Sequence, residues 1–227
     1  IMGNIRRSFW FARLITAVLV FSAPALAGDP ATLTFSLDFP SSSPEHYSFA
    51  VQSDGRAHYE SSGKITIDSD DRYDFQTDFS FTDATRARIF DLMAQSQYLS
   101  GKVDSGNKKI AFTGSKKLVY TDGRRDASAT YNFSRNPAVQ QLTTLFQSVA
   151  ATMEFARRLT YFHRYQKLAL DDETKRMEDQ AKHAEVAELQ AVKPVLQAIY
   201  DDNSVINVVR ARARRIMEME PQPVAGK

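Results

Sequence analysis

The chain has 227 residues and no cysteine, and its 29 Lys and Arg nearly balance its 27 Asp and Glu. This length accommodates one or two domains. The absence of cysteine excludes disulfides, thiol catalysis, Cys-ligated zinc and a lipoprotein anchor. The folded protein must therefore rely on its hydrophobic core for stability.

The first 27 residues have the pattern of a secretory signal peptide, with three Arg between positions 6 and 13. An apolar run at 14–21 follows, and Ala25-Leu26-Ala27 is a small-x-small cleavage site. The run is too short to span a bilayer. The adjacent Arg6 and Arg7 also fit a twin-arginine export signal loosely, but ordinary secretion is favoured because Ile5 replaces the usual Ser or Thr. We expect an exported protein, periplasmic or extracellular.

Cleavage after this segment changes the charge of the chain. Removing residues 1–27 takes away three Arg and no acid, so Lys and Arg fall from 29 to 26 against 27 Asp and Glu, and the net charge changes from +2 to −1. The basic character of the whole sequence therefore belongs to the signal, and we expect no nucleic-acid partner. No further apolar run is long enough to cross a bilayer, so we expect a soluble mature chain.

Residues 31–39 alternate apolar and polar side chains, which predicts a half-buried strand. The first Asp-Gly pair after it predicts a β-hairpin with two possible registers. If residues 54–55 alone form the loop, Phe49 faces Glu60; if residues 53–55 form it, Phe49 faces Tyr59. The second register pairs apolar side chains and fits a three-residue loop with Gly in the left-handed conformation. We predict the second register.

The chain continues with a strand at 73–81 and then a helix from Thr82, its cap, to about Gln97. Further strand segments are predicted from short apolar runs at 65–67, 110–112, 118–120 and 127–133. If Asp122-Gly123 is a two-residue turn, it pairs Leu118 with Ala127.

Residues 137–164 form the central predicted helix. Asn136 is a suitable N-cap and Pro137 suits the first helical position. Ten apolar residues lie on one face and are expected to pack on the sheet: Val139, Leu142, Leu145, Phe146, Val149, Met153, Phe155, Ala156, Leu159 and Phe162. Glu154, Arg157 and Arg158 are assigned to the opposite, polar side. The stripe is interpreted as ordinary core, because no polar group converges on it.

The last third of the sequence is helical in pattern. Residues 165–188 are poor in apolar side chains and rich in i,i+4 acid–base pairs, which predicts an exposed or loosely docked helix. This helix is either separate from the central one or continuous with it. Residues 186–200 regain an apolar face, which Pro194 should kink or split. A last helix is expected to turn Val205, Val208, Val209, Ala213, Ile216 and Met217 inward.

The predicted fold class is α+β, with an antiparallel sheet of about six to eight short strands packed by helices and followed by a helical C-terminal extension. The predicted divisions are a signal peptide at 1–27, an α+β domain at 28–164, the extension at 165–220 and a tail at 221–227.

No residue pattern identifies a catalytic, cofactor-binding or metal-binding site, and none is predicted. The four His form no close metal pair, and His163 is interpreted as a hydrogen-bonded structural residue. The acidic run Asp68, Asp70, Asp71 and Asp74 is interpreted as a solvated turn rather than a calcium loop. Ser105 and Lys108 spell S-x-x-K, but they lie in a Gly-containing loop without the partner motifs.

Four arginines crowd the last predicted helix: Arg210, Arg212, Arg214 and Arg215. They are interpreted as a solvated face balanced by Glu218 and Glu220, and contact with an acidic partner or with membrane headgroups is the alternative.

Three stretches, SPEHYSFAVQSDGRAHYESSGK, FHRYQKLALDDETKRMED and VINVVRARARRI, resemble a group of secreted bacterial proteins of acidobacterial type for which no activity is known. The resemblance covers nearly all of the mature chain. It implies export and a bacterial origin, and it transfers no functional residue.

The leading functional hypothesis is a non-enzymatic exported interaction or structural module that binds a protein partner through its C-terminal helices. One alternative is a binding protein for a small apolar ligand held between sheet and helix. The other is a hydrolase that uses a carboxylate pair.

Overall fold

The computed structural model describes residues 30–40 and 42–220. In these ranges the chain forms a six-stranded antiparallel sheet and five α-helices, with the helices concentrated towards the C-terminus. The predicted α+β class is confirmed. The predicted signal peptide and the tail at 221–227 lie outside the described residues.

The sheet consists of β1 (Thr32–Asp38), β2 (His46–Gln52), β3 (Arg56–Ser62), β4 (Phe75–Ser80), β5 (Ser115–Thr121) and β6 (Asp126–Tyr131). Their spatial order is β4-β3-β2-β1-β5-β6, and every neighbouring pair is antiparallel. Strict alternation turns side chains such as Phe35, Phe49 and Leu118 inward and leaves Thr, Ser and His on the outer face.

The predicted register of the β2–β3 hairpin is confirmed. Phe49 pairs with Tyr59 and Val51 with Ala57. Gly55 closes the loop at φ +94°, a conformation that side chains other than glycine rarely adopt. The three-residue loop therefore sets which face of each strand is buried.

The predicted register of the β5–β6 hairpin is wrong by two residues. Leu118 pairs with Ala129, and the loop comprises the four residues 122–125. The carboxylate of Asp122 accepts hydrogen bonds from the backbone N–H groups of Arg124 and Arg125, which stabilises the longer turn.

Two predicted strand segments are absent from the described chain. Residues 65–67 and 110–112 form turns and loops, and only the isolated bridge between Lys64 and Arg72 remains near the first of them. Ile65 is buried but Ile67 is 70% exposed. The two residues therefore do not lie on one buried face of a strand, as their i,i+2 spacing predicted.

The helices are α1 (Asp83–Gln95), α2 (Pro137–Tyr165), α3 (Leu170–Lys182), α4 (Lys193–Asp201) and α5 (Asn207–Met217). Short 3-10 turns at Lys167–Ala169 and Leu189–Val192 precede α3 and α4. The predicted caps are confirmed, since the side chain of Thr82 accepts from Thr85 N and that of Asn136 accepts from Ala138 N and Val139 N.

Helix α2 is buried along its whole length, but against two different sets of neighbours. Its first half packs on the inner face of the sheet, where the Phe146 ring stacks on Phe35 with centroids 4.9 Å apart. Its second half packs against the C-terminal helices instead. All ten predicted core residues are buried, but the expectation that they all pack on the sheet is wrong for the four that belong to this second core: Phe155, Ala156, Leu159 and Phe162.

The expectation that α3 would be exposed or loosely docked is wrong. Leu170, Thr174 and Met177 are fully buried against α2 and α5. The helix is also separate from α2, because Gln166 adopts φ −143° and ends α2 before the 3-10 turn. Helix α3 docks with only a narrow apolar stripe, because its buried Glu173 and Glu178 pair with arginines on α2 and α5.

Pro194 separates a 3-10 turn from α4, in agreement with the predicted split. In α5 the predicted inward residues Val209, Ala213 and Ile216 are buried, whereas Val208 is half exposed, so its assignment was wrong. The division of the chain into domains at residue 164 stays a prediction.

Candidate functional site

A fully buried guanidinium lies where the two halves of α2 meet. Arg157 is 0% exposed, and its Nε donates to Glu154 Oε2 at 2.7 Å. Its remaining N–H groups donate to Ser43 Oγ and to the backbone carbonyls of Gly63, Lys64 and Tyr73 at 2.8–3.4 Å. The interpretation of this α2 face as polar and solvent-facing was wrong, because these carbonyls supply the acceptors that water would otherwise provide.

Glu154 completes this network on the sheet side. Its Oε1 accepts a hydrogen bond from the Tyr59 hydroxyl at 2.8 Å, and burial raises the pKa of that hydroxyl well above its usual value. Both carboxylate oxygens of Glu154 are therefore engaged. The network links β3, α2 and the loop between β3 and β4, which is a structural role.

A second buried carboxylate joins the C-terminal region to α1. Glu188 is 1% exposed and accepts from Thr82 N, Thr82 Oγ1 and Thr85 Oγ1 at 2.5–2.9 Å. These donors surround the N-terminus of α1, where the helix dipole favours negative charge. Glu188 is not recognisable from a short-range motif, because its partners Thr82 and Thr85 lie more than 100 residues away. Glu154 and Arg157 are only three residues apart, but the backbone acceptors that bury Arg157 are also distant in sequence.

The arginines of α5 form the expected solvated face only in part: Arg214 and Arg215 are more than half exposed, whereas Arg212 is nearly buried. Arg212 Nη1 lies 2.6 Å from Asp171 Oδ1, and Arg215 Nε lies 2.9 Å from Glu178 Oε1, so both join α5 to α3. The hydrogen bond from Arg215 lowers the pKa of Glu178. Only Arg214 pairs within its own helix as expected, with Glu218 at 2.8 Å.

His163 is held by a carboxylate, as its structural interpretation required. Its Nε2 lies 2.9 Å from Asp202 Oδ2. Lys167 Nζ donates to the same oxygen at 2.6 Å, and chiefly through this bond it holds the pKa of Asp202 well below its usual range. These contacts fix the end of α2 to the turn between α4 and α5.

The acidic run of residues 68–74 is not assembled around one point. Asp70 pairs with Lys64 at 3.4 Å, and Asp71 accepts from the Tyr161 hydroxyl at 2.8 Å, which raises the pKa of that hydroxyl. In residues 30–40 and 42–220, no group of three or more His, Cys, Asp or Glu is arranged to hold a metal ion. Ser105 and Lys108 lie in an irregular loop, not at the start of a helix.

The outer face of the sheet carries the other two histidine–carboxylate pairs. His46 Nδ1 lies 2.7 Å from Asp38, and His58 Nδ1 lies 2.7 Å from Asp78. The nearby Ser48 donates to Glu60 rather than to a histidine, so the contacts lack the nucleophile–base hydrogen bond of a hydrolase.

The most distinctive surface lies at the C-terminal end of α2. The described chain exposes seven large apolar side chains, and five of them surround this end: Ile67, Tyr165, Leu168, Ile206 and Val208. We call these five residues the apolar patch. Leu168 is the most exposed, at 88%. Because single exposed apolar residues are ordinary but grouped ones are not, this grouping indicates a contact surface.

Specific contacts bring the members of the apolar patch together. The bond between Tyr161 and Asp71, with Tyr161 and Tyr165 ring centroids 5.0 Å apart, brings the loop that carries Ile67 to the end of α2. Lys167 donates to Asp202 and Ser204, which sets Leu168 beside the turn before Ile206. Val208 lies one turn before Arg212 on α5 and therefore near the start of α3.

The edge of the apolar patch is mainly acidic. Asp68, Asp172 and Asp201 are exposed, adjoin the patch in sequence, and form no ion pair within the described residues. Two cations also lie beside the patch: Lys167, which pairs with Asp202, and Arg164, whose guanidinium lies over the Tyr165 ring at 5.2 Å from the centroid. This distribution favours a partner with basic groups around an apolar centre.

No family model matches the chain, and no curated protein is significantly similar to it in sequence. Within the described residues, none of the helices combines the length and apolar character needed to span a bilayer.

Proposed function

We propose that this protein is an exported, non-enzymatic interaction module, and that the apolar patch is its docking surface for a protein partner. The observation that carries the proposal is that five of the seven exposed large apolar side chains of the described residues lie on segments that meet at the end of α2: Ile67, Tyr165, Leu168, Ile206 and Val208. Burying each such side chain in an interface gains roughly 1.5–3 kcal/mol, so a few of them form an adequate binding centre.

The partner's chemistry follows from the edge of the patch. Three unpaired aspartates around five apolar side chains favour a protein surface that presents an apolar anchor flanked by Lys or Arg. The segments that contribute are the end of α2, the 3-10 turn before α3, the start of α5 and the loop between β3 and β4. Contact of a partner with the C-terminal helices is part of this proposal. Export is proposed from the signal-peptide pattern and from the resemblance to secreted bacterial proteins.

Two other functions are less well supported by the geometry. Between sheet and helix, Phe146 packs on Phe35 and Phe49 with centroids 4.9 and 5.4 Å away, so the space for an apolar ligand there is filled. A hydrolase would need buried carboxylates that are free to react, and the candidates are Glu154, Glu173, Glu178 and Glu188. Each of them instead accepts hydrogen bonds from Arg, Tyr or Thr side chains.

The proposal is tested by photo-crosslinking followed by reconstitution. A photoreactive amino acid is placed at Leu168, and in a matched control at the exposed Lys117 on the outer sheet face, and the protein is exported in its own cells. The protein crosslinked only from position 168 is then purified, and its dissociation constant is measured for the wild type, Leu168→Asp and Ile206→Asp. We expect each substitution to weaken binding at least about tenfold, as a hot-spot residue would.

Equal binding by wild type and both variants would contradict the proposal. So would a crosslinked species that is a second copy of the same chain, or association of the purified protein with lipid vesicles that the two substitutions abolish. The control Lys117→Asp should leave the dissociation constant unchanged, because that residue lies on β5, away from the patch.

A further inference from the structure

A cleft of about 360 Å³ lies between α2, α3 and the loop that precedes β2. Its polar lining includes Tyr47, Glu154, Arg158 and Arg176, and Pro44, Ala150 and Phe155 supply apolar wall. The size is at the lower end of the range for small-molecule sites. The residues of the apolar patch are not part of this lining, so the cleft is a separate feature.

Tyr47 is the buried polar group of the cleft. The residue is 6% exposed, and its hydroxyl makes no hydrogen bond within the described part of the chain. Burial, and secondarily the charge of Glu154, raise the pKa of Tyr47, so the hydroxyl stays protonated and can act as a donor. The hydroxyl oxygen is accessible from the cleft, so it can donate a hydrogen bond to a ligand that enters.

The charges around the cleft do not cancel. Glu154 is already neutralised by Arg157. The guanidinium groups of Arg158 and Arg176 both bond to the single carboxylate of Glu173. Three cations therefore face two carboxylates, which leaves one positive charge in excess.

The two cleft arginines are positioned by an aromatic ring. The guanidinium carbons of Arg158 and Arg176 lie 5.0 and 5.5 Å from the centroid of the Phe155 ring. Stacking of this kind reduces the freedom of both side chains, and guanidinium groups recognise oxyanions by paired hydrogen bonds. The apolar wall beside them can accept a compact hydrocarbon body.

We propose that this cleft binds a small organic anion, in which one carboxylate or phosphate group meets the Tyr47 hydroxyl and the Arg158 and Arg176 guanidiniums while an apolar portion contacts Pro44 and Phe155. Both kinds of oxyanion share the chemistry that these residues recognise. The site is independent of the proposed docking function, since its ligand is bound without a protein partner.

Titration calorimetry on the purified chain without its predicted signal peptide tests the proposal, with benzoate, phenyl phosphate and neutral benzamide as probes. We expect at least one of the two anions to bind, and benzamide to bind at least about tenfold more weakly, because a charge-assisted hydrogen bond is lost. The order of benzoate and phenyl phosphate identifies the preferred oxyanion. Tyr47→Phe removes only the hydroxyl, Arg176→Gln removes an exposed cation, and each should weaken anion binding about tenfold.

Matched controls remove the same groups elsewhere. Tyr120→Phe deletes a hydroxyl that bonds to Asp122, and Arg214→Gln deletes an exposed cation on α5; neither should change the affinity. The proposal is overturned if neither anion binds, if benzamide binds as tightly as benzoate, or if Tyr47→Phe and Arg176→Gln bind the anions as the wild type does. Leu168→Asp should retain anion binding, so failure of the docking function leaves this result unaffected.

Discussion

The two halves of α2 are buried by different physical means. On the sheet side, packing of aromatic and aliphatic side chains predominates, as in the stacked pair Phe35 and Phe146, and buried ions are few. On the C-terminal side the core is smaller, and arginine–carboxylate pairs such as Arg158–Glu173 and Arg215–Glu178 surround it. The first arrangement gains its stability from apolar area, whereas the second requires each charge to have its partner.

Arg157 lies between the two regions, and its removal should have the largest effect. Arg157→Ala leaves Glu154 without its cation and the Tyr73 carbonyl without its donor, whereas the Gly63 and Lys64 carbonyls keep a second donor each. We expect the free energy of unfolding to fall by about 3–5 kcal/mol, the cost of breaking a buried ion pair. Urea unfolding followed by far-UV circular dichroism measures it.

The control for that experiment is Arg214→Ala, which breaks an exposed pair with Glu218 and should cost no more than about 1 kcal/mol. Similar losses in the two variants would show that the buried network contributes no more than a surface pair, and the distinction between the two regions would fail.

Glu188 tests the connection between the C-terminal region and α1. Glu188→Ala leaves Thr82 and Thr85 with unpaired donors at the N-terminus of α1. We expect a loss of about 1–3 kcal/mol in the free energy of unfolding. Glu188→Gln keeps an acceptor oxygen, so its loss should be smaller; an Ala variant as stable as the wild type would rule out this connection.

The ionic contacts between α3 and α5 should make that region sensitive to acid. The folded-state pKa of Glu178 is lowered, chiefly by its hydrogen bond from Arg215, so its contribution is present above the unfolded pKa of about 4.3 and is lost as the pH falls through the folded value. We expect this contribution to be about 1 kcal/mol or less, because the partner is half exposed.

The pH experiment compares the free energy of unfolding at pH 7 and pH 3 in the wild type and in Arg215→Gln. The acid-induced loss should be smaller in the variant, because Glu178 no longer has the partner that lowers its pKa. Identical losses would exclude Glu178 as a source of the pH dependence.

The smallest expected effect on stability is that of Leu168→Asp. This side chain belongs to the apolar patch and is 88% exposed, so the free energy of unfolding should change by no more than about 0.5 kcal/mol. Thermal unfolding of the two proteins side by side measures the change. A loss of several degrees in the melting temperature would mean that Leu168 supports the fold and is not a free docking residue.

Elements with strong local signals could be predicted from the sequence. The cap at Asn136, the ten-residue apolar stripe of α2 and the Gly55 hairpin depend on neighbours within a few positions, and all were predicted with the correct bounds or register. The β5–β6 register was missed because Asp122 stabilises a four-residue loop as readily as Asp-Gly forms a two-residue one.

The polar interior could not be predicted in the same way. Arg157 finds its acceptors at Gly63 and Tyr73, 94 and 84 residues away along the chain. The docking of α3 could not be predicted either, because its glutamates pair with arginines on α2 and α5. The apolar patch joins residues from Ile67 to Val208, so no single stretch of sequence reveals it.

Helix α2 packs into both cores, and we expect it to make them unfold together. Native-state hydrogen exchange of the α2 backbone amides, measured by NMR at increasing urea concentration, tests this expectation. Amides near Phe146 and amides near Leu159 should reach the same opening free energy, equal to that of global unfolding. Opening near Leu159 together with α3–α5 at a distinctly lower free energy, while Phe146 stays protected, would contradict it.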